Sequence, residues 1–363
     1  MAAAWDDLAA RARTNVFMHP AALQAATETG FARVHVLQAW DDADGARRLI
    51  GYWALQERRA LPMSPAFLES LPYNYAFTSN AVVDGARVDE VVAAWFDAID
   101  RDAHLPKVIS LRSFEADTEF HAAMLKRLAE AGGQHREFTR AARPFADPET
   151  GVKKSGSTRK KLRQDWNRLS ATGATEVVNA RAPAVVEAAF ETFLALENAS
   201  WKGEQGTALL CDPKDAEFVR RLIGNLAAGG HASVALLRVD GKAIAAQVLL
   251  YSGDQAYTWK TAFDAAFGKF SPGALLIDKI TEELFAGGTI ARIDSCSAES
   301  SFMAQLWTGR HTMVDALIDV RSRKSLAFAV ESARQQGYEQ LRMMRDRMRA
   351  ALNRSKAPAQ KAS

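Results

Sequence analysis

Three apolar runs joined by two hairpin-type turns, at residues 232–263, constrain the fold of this chain more than any other stretch. Residues 232–239, 242–251 and 255–263 are rich in Val, Leu, Ile, Tyr and Trp, and Asp240-Gly241 and Ser252-Gly253-Asp254 separate them. Short loops carrying glycine supply the positive φ that a tight hairpin needs, so the stretch predicts a three-stranded antiparallel meander. Directly behind it the sequence reads YTWKTAFDAAFGKFSPGALLIDKI (257–280): the last strand, a Gly/Ser/Pro/Gly loop, then a helix. Ser271 stands where an N-cap belongs, and Pro272 fits the first helical position, where its missing N–H is not needed. Gly273 leaves that turn without a side chain, and Lys269 adds a positive charge beside it. Bare N–H groups at a helix N-terminus attract anions. From these residues alone an ordinary capped turn is the stronger reading, and context has to decide.

Around this block the same element types recur. In the first half, residues 31–40 (FARVHVLQAW) and 47–57 (RRLIGYWALQE) flank the polar DDADG and predict an antiparallel hairpin. Residues 73–78 (YNYAFT) predict a third strand, 108–111 a short buried one and 134–140 a further one. Apolar residues at 88, 91, 92, 95, 96 and 99 have helical spacing, and 118–131 repeats it before Gly132-Gly133. In the second half, 176–180 predicts a strand, 183–201 and 213–228 helices, and 289–294 (TIARID) the strand after the Ser271 helix. Residues 324–353 predict packed helices broken at Gly337, and 354–363 a disordered tail.

The 363 residues, 48% hydrophobic and 25% charged, suit a water-soluble protein with a large core. A net charge of +3 is too mild to imply nucleic acid. Cys211 and Cys296 form no CxxC, so neither a zinc site nor a disulfide framework is indicated, and no metal is expected. No apolar run reaches the ~20 residues of a spanning helix, and the N-terminus lacks the apolar segment of a secretory signal, so a cytoplasmic location is expected by default. Residues 144–156, with two prolines and two glycines, mark a boundary between a first half (14–143) and a second (157–323). Just past it, residues 153–168 hold seven Lys/Arg against Asp165 alone, with Leu162, Trp166 and Leu169 as a narrow apolar stripe. This basic amphipathic helix is either a patch for a phosphate-bearing ligand or acidic acceptor, or a solvated face.

The second-half order, helix, helix, three antiparallel strands, Gly-bearing loop, helix, strand, resembles the GNAT acyltransferase fold. The blocks TRKKLRQDWNRL, ENASWKGEQGTAL, VDGKAIAAQ, YTWKTAFDAAFGKFSPGALL and RIDSCSAESSFMAQLW carry the resemblance over residues 155–310. They are similar to the cellulose-biosynthesis-type (CelD-like) acetyltransferase domain, a relative of FemAB-type aminoacyltransferases. The resemblance implies an α+β protein of two GNAT-like halves in tandem, each a mostly antiparallel mixed sheet flanked by helices, the first half degenerate.

It further implies an acyl-CoA (acetyl-CoA or longer) as co-substrate, held in the splay between the fourth and fifth strands (256–263 and 289–294). The pyrophosphate would lie on the 267–273 loop, at Lys269, Phe270, Ser271, Pro272 and Gly273, although this loop is poorer in glycine than the usual one. Transfer is direct to an amine or hydroxyl, with a backbone N–H of the fourth strand stabilising the oxyanion. Asp294, Asp264 and His311 are the candidates for acid–base work; a cap, a turn and a packed histidine are their ordinary alternatives. Trp201, Lys202, Lys260, Trp307 and Arg310 are candidates for binding the acceptor, with core packing the rival for both tryptophans. Cys296 reads as a buried structural thiol. The acceptor is expected to be a small molecule or a saccharide or lipid precursor of the cell envelope. Two alternatives stay open: aminoacyl transfer from charged tRNA, the one nucleic-acid partner considered, and a non-catalytic binding module in polysaccharide assembly. The arginine-rich face of the last helix allows peripheral membrane contact.

Overall fold

The computed structural model describes residues 2–355 except 43, 44, 46, 150, 323 and 324. The first half runs α1 (Ala2–Ala9), α2 (Pro20–Glu28), β1 (Val34–Asp41), β2 (Arg48–Arg59), β3 (Ala66–Glu69), β4 (Val82–Val83), α3 (Val88–Arg101), β5 (Val108–Glu115), α4 (Glu119–Ala131) and β6 (Gln134–Ala146). The second half runs α5 (Ser157–Ser170), β7 (Thr175–Ala180), α6 (Pro183–Asn198), α7 (Trp201–Glu204), α8 (Pro213–Ala228), β8 (Ala232–Val239), β9 (Lys242–Ser252), β10 (Gln255–Phe263), α9 (Pro272–Ala286), β11 (Arg292–Asp294), α10 (Met303–Leu306), β12 (Gly309–Asp319) and α11 (Leu326–Ser355).

The twelve strands among the described residues join one mixed sheet, in the order β1-β2-β3-β5-β12-β6-β11-β10-β9-β8-β7, with β4 beside β2. The expected class, tandem α+β halves with helices on mostly antiparallel strands, is what the chain adopts. Each half contributes one parallel pair, β3 with β5 and β10 with β11, and each sends its last strand across the midline. Thus β6 pairs with β11, β12 pairs with β5, and the two exchanged strands pair with each other.

The two faces of the second half differ. On one, α6 and α8 share a core with the first half, through buried Phe193, Phe218, Trp259, Trp53 and Phe114. On the other, α5 and α9 cover the meander through Leu162, Leu275, Leu276, Ile280, Leu237 and Leu249. Burying each such side chain contributes about 2 kcal/mol.

The meander and the first hairpin form as expected. Residues 73–78 do not form a strand. Their alternating aromatics fill the seam between the halves: Tyr73 and Tyr75 pack on Phe218, Phe77 on Phe17, and the Tyr75 carbonyl accepts from the Trp259 indole. β6 runs to Ala146, into the stretch expected to be a boundary, because Pro144 and Phe145 continue its ladder with β12. The 183–201 helix stops at Asn198, TIARID yields only Arg292–Asp294 as strand, and β12 was not expected. α11 passes through Gly337 unbroken and includes residues 354 and 355; the rest of the expected tail, 356–363, lies outside the described residues.

Candidate active site

β10 is where the second half opens. Its register with β9 shifts between Thr258 and Lys260, so Trp259 is a bulge residue without an opposite partner. Its register with β11 lasts three residues and ends at Tyr257 opposite Asp294. There the Asp294 carboxylate accepts the Cys296 N–H at 2.6 Å, and Cys296, at φ 49°, turns the chain away. β10 continues to Phe263, so a wedge-shaped gap widens beyond Tyr257.

The start of α9 faces this gap. Asp264 caps the 3-10 turn Ala265–Phe270 through the Ala266 N–H and pairs with Lys242 at 2.9 Å, a contact that holds its carboxyl below the usual range. Ser271 occupies the N-cap position, but at φ 53° its side chain caps nothing; its Oγ instead accepts from Lys161 Nζ at 3.1 Å. The N–H groups of Ala274 and Leu275 return to the Ser271 carbonyl, which leaves the Gly273 N–H without a partner among the described residues. A Cβ on Gly273 would lie 3.4 Å from Thr261 Cγ2 and 3.5 Å from Phe263 Cδ1, so this turn sits against β10 beyond the point of divergence.

α5 approaches the same place. Its N-cap is Gly156, at φ 102°, with no side-chain cap. Ser157, Thr158 and Lys161 of α5 and Ser271 and Ala274 of α9 line a cavity of about 340 Å³ with Phe302 and Gln305. Two uncapped helix N-termini and a lysine therefore share one cavity, an arrangement suited to an anion. Beside the cavity, Arg159 pairs with Asp278 of α9, whose carboxyl burial pushes up against the pull of that arginine. Arg168 lies over the Phe270 ring and bonds Asp165 at 3.3 Å. Thus the basic helix is tied to the loop by some of its charges, while Lys153, Lys154, Lys160 and Arg163 are exposed.

On the opposite face, strands from both halves bring charged groups together at the narrow end of the gap. His311 of β12 stacks on Phe145 at 4.3 Å, with Nδ1 2.9 Å from Glu115 Oε1 and Nε2 3.6 Å from Asp294 Oδ2. Arg13 donates to Glu115 at 2.7 Å, and Arg143 Nη1 lies 3.8 Å from Asp294. Burial alone would push the Glu115 carboxyl up; His311 and Arg13 outweigh it and hold it below the usual range. Arg13, Asn80, Glu115, Tyr257, Asp294 and His311 line a cavity of about 300 Å³. Farther along β10, the Lys260 ammonium lies over the rings of Tyr75 (4.9 Å) and Trp259 (5.6 Å), with no carboxylate within 4 Å among the described residues. Burial lowers its pKa. The Cys296 thiol is buried and pushed well above its ordinary value.

The structure thus brings together Asp294 with His311, and Ser271 with Gly273, and sets Lys260 in an aromatic cage. Other expected residues are engaged elsewhere. Phe270 and Pro272 are buried, and Lys269 is exposed with its ammonium over the Phe270 ring. Trp307 is fully buried in the α5/α9 core. Arg310 spends its donors on the carbonyls of Ala304, Trp307 and Gly309 and on Glu299, closing its own loop. Lys202 bonds the buried Glu197 at 2.8 Å, while Trp201 is exposed. Sequence reasoning missed Glu115, Arg143, Tyr75 and the Trp259 bulge; the aromatics of 73–78 were the one signal available for Tyr75.

Residues 156–302 match the family model of the Acetyltransferase (GNAT) domain, which names no narrower type. No curated protein sequence matches significantly. Among solved structures, FemX aligns over 86% of this chain and 93% of its own, with TM-score 0.59 and 12% identity. A conserved protein of unknown function from Bacteroides thetaiotaomicron aligns over 88% and 96%, with TM-score 0.53 and 13% identity. L-PGS from Bacillus licheniformis aligns over 89% and 98%, with TM-score 0.51 and 13% identity. At such identities these likenesses establish a shared fold.

Proposed function

We propose that the second half is an acyltransferase that takes an acyl group from acyl-CoA and passes it to an amine or hydroxyl. The observation that carries this reading is the parallel pair β10/β11 parting after Tyr257–Asp294, directly across from the bare first turn of α9. The pyrophosphate would lie in the cavity lined by Ser271, Ala274, Lys161 and Thr158, beside the bare turn at Gly273, and the thioester would enter the gap. The Trp259 N–H is the candidate oxyanion donor, since a bulge residue is free of the ladder. The attacking amine or hydroxyl loses a proton, for which the Asp294–His311 pair is the candidate acceptor, and the CoA thiolate leaves. Lys260, in its cage on the face away from α9, is placed to hold an anionic or carbonyl group of the acceptor.

The test is calorimetry or thermal shift with acetyl-CoA, longer acyl-CoAs and free CoA. A ligand at 100 times its dissociation constant adds about 2.7 kcal/mol to stability, and no response to any CoA species would overturn the proposal. Gly273 has an ordinary φ and van der Waals room for a Cβ, so Gly273→Glu should fold while bringing a carboxylate into the turn against β10, beside the proposed pyrophosphate. CoA affinity should then fall at least about tenfold, or 1.4 kcal/mol; unchanged affinity would move the donor site elsewhere. A second reading, aminoacyl transfer from charged tRNA, draws on the exposed Lys153, Lys154, Lys160 and Arg163. It requires salt-sensitive tRNA binding together with indifference to CoA.

A further inference from the structure

α11 outlasts the body it packs on. Its first turns are fixed: Glu331, Ser332 and Gln335 are buried, Gln335 bonds Ser110, and Arg136 bonds Ser332 and Gln336. From position 340 through 348 every residue whose burial is described is exposed. Yet this part is not uniformly polar. Tyr338, Leu341, Met344 and Met348 follow one another at helical spacing and are 59%, 68%, 58% and 60% exposed. At about 100° per residue they fall on one stripe, with Arg345 within its Tyr338 side, Arg342 just outside that edge and Arg347 beyond the other. Glu339 falls on the opposite side, 3.9 Å from Arg342.

We propose that this stripe docks on an anionic lipid bilayer, α11 lying in the interface rather than crossing it. An apolar strip edged by arginines matches a surface that is apolar within and negatively charged at its headgroups, because long cationic side chains keep their charge at the boundary while their stems cover hydrocarbon. No helix among the described residues is long and apolar enough to span a membrane. The charge pattern argues against a second copy as the occupant, since stripe-to-stripe packing would bring two sets of arginines together. Continuity with the body points the same way. Between α11 and the sheet runs a groove of about 540 Å³, from Arg342 and Met343 past Ala142 and Met313 to Arg143 and Cys296. Arg143 is the residue beside Asp294, so a groove starting under the docked helix ends at the charged cluster.

The test uses the full chain and vesicles of phosphatidylcholine with or without phosphatidylglycerol, read by co-sedimentation. Binding is expected to the phosphatidylglycerol vesicles alone and to weaken as salt rises. Leu341→Asp with Met348→Asp should lower the partition coefficient about tenfold or more, with thermal stability unchanged because both side chains are solvent-exposed. No binding to anionic vesicles at low salt, or undiminished binding by the double variant, would overturn the proposal. So would a concentration-dependent dimer that the double variant abolishes in the absence of vesicle binding, which would assign the stripe to a second copy.

Discussion

His19 shows how much one side chain can make stability depend on pH. It caps α2 by accepting the Ala21 N–H on Nδ1, and its ring lies 4.2 Å from that of His231. Burial first, then the neighbouring imidazole, pushes its pKa down to about 4. Between that value and the ordinary 6.5 the unfolded chain binds the extra proton, so stability rises with pH across this window and is lost as pH falls through it. The shift corresponds to at most about 3 kcal/mol. Thermal midpoints measured from pH 7 down to 4.5 should fall, and His19→Asn, which keeps a cap acceptor without a titrating ring, should flatten the slope; an unaltered slope would refute this account. At the same scale, Asp294 and His311 were visible in the sequence as polar residues at the end of TIARID and after WTGR. Their meeting was not, because it depends on Glu115 and on a strand that gave no clear signal. Arg310 and Trp307 looked like rim residues and turned out to be loop closure and core, a distinction that only the positions of neighbouring carbonyls and helices can draw.

Between elements, the cavity at the starts of α5 and α9 depends on how the two helices sit against each other. Arg159 and Asp278 join them, and both side chains are largely shielded. Removing Asp278 leaves Arg159, among the described residues, with only Glu282 at 3.9 Å and the Lys153 carbonyl, so Asp278→Ala should cost about 3 kcal/mol in urea unfolding. The pair Arg159→Met with Asp278→Leu should recover most of that loss; if it is as unstable as the single variant, the bridge is not what Asp278 contributes. The meander, the hairpins and the α9 loop could be read from turn residues and periodicity, since those signals are local. β12 could not: its sequence GRHTMVDALID has charges within it, yet it lies between β5 and β6. The aromatic alternation of 73–78 misled for a related reason, because packing into a seam imposes the same pattern as packing in a ladder.

For the whole molecule, the exchange of β6 and β12 determines whether either half can exist alone. Without its partner, the first half would lose the strand between β5 and β6, and the second would lose the one between β11 and β12. Residues 1–148 and 151–363 made separately should therefore be insoluble or lack a cooperative thermal transition, whereas co-expressed they should assemble. A cooperative transition in either fragment alone would contradict this. That the chain has two halves was legible from its repeated order of elements. That they share a sheet was not, because no local signal marks a strand that pairs outside its own half.

The shared sheet also limits how the protein can breathe. Two-lobed enzymes commonly swing closed about a hinge, but here the midline is a β12–β6 ladder running from Gly309–Phe145 to Asp319–Gln134 with one register shift after Asp315, and a swing would have to tear it. On the proposed function, entry and exit of reactants would then fall to small parts at the rim, such as the exposed corner at Trp201. Turnover would be paced by those segments, while the two lobes stay fixed relative to each other through the whole cycle.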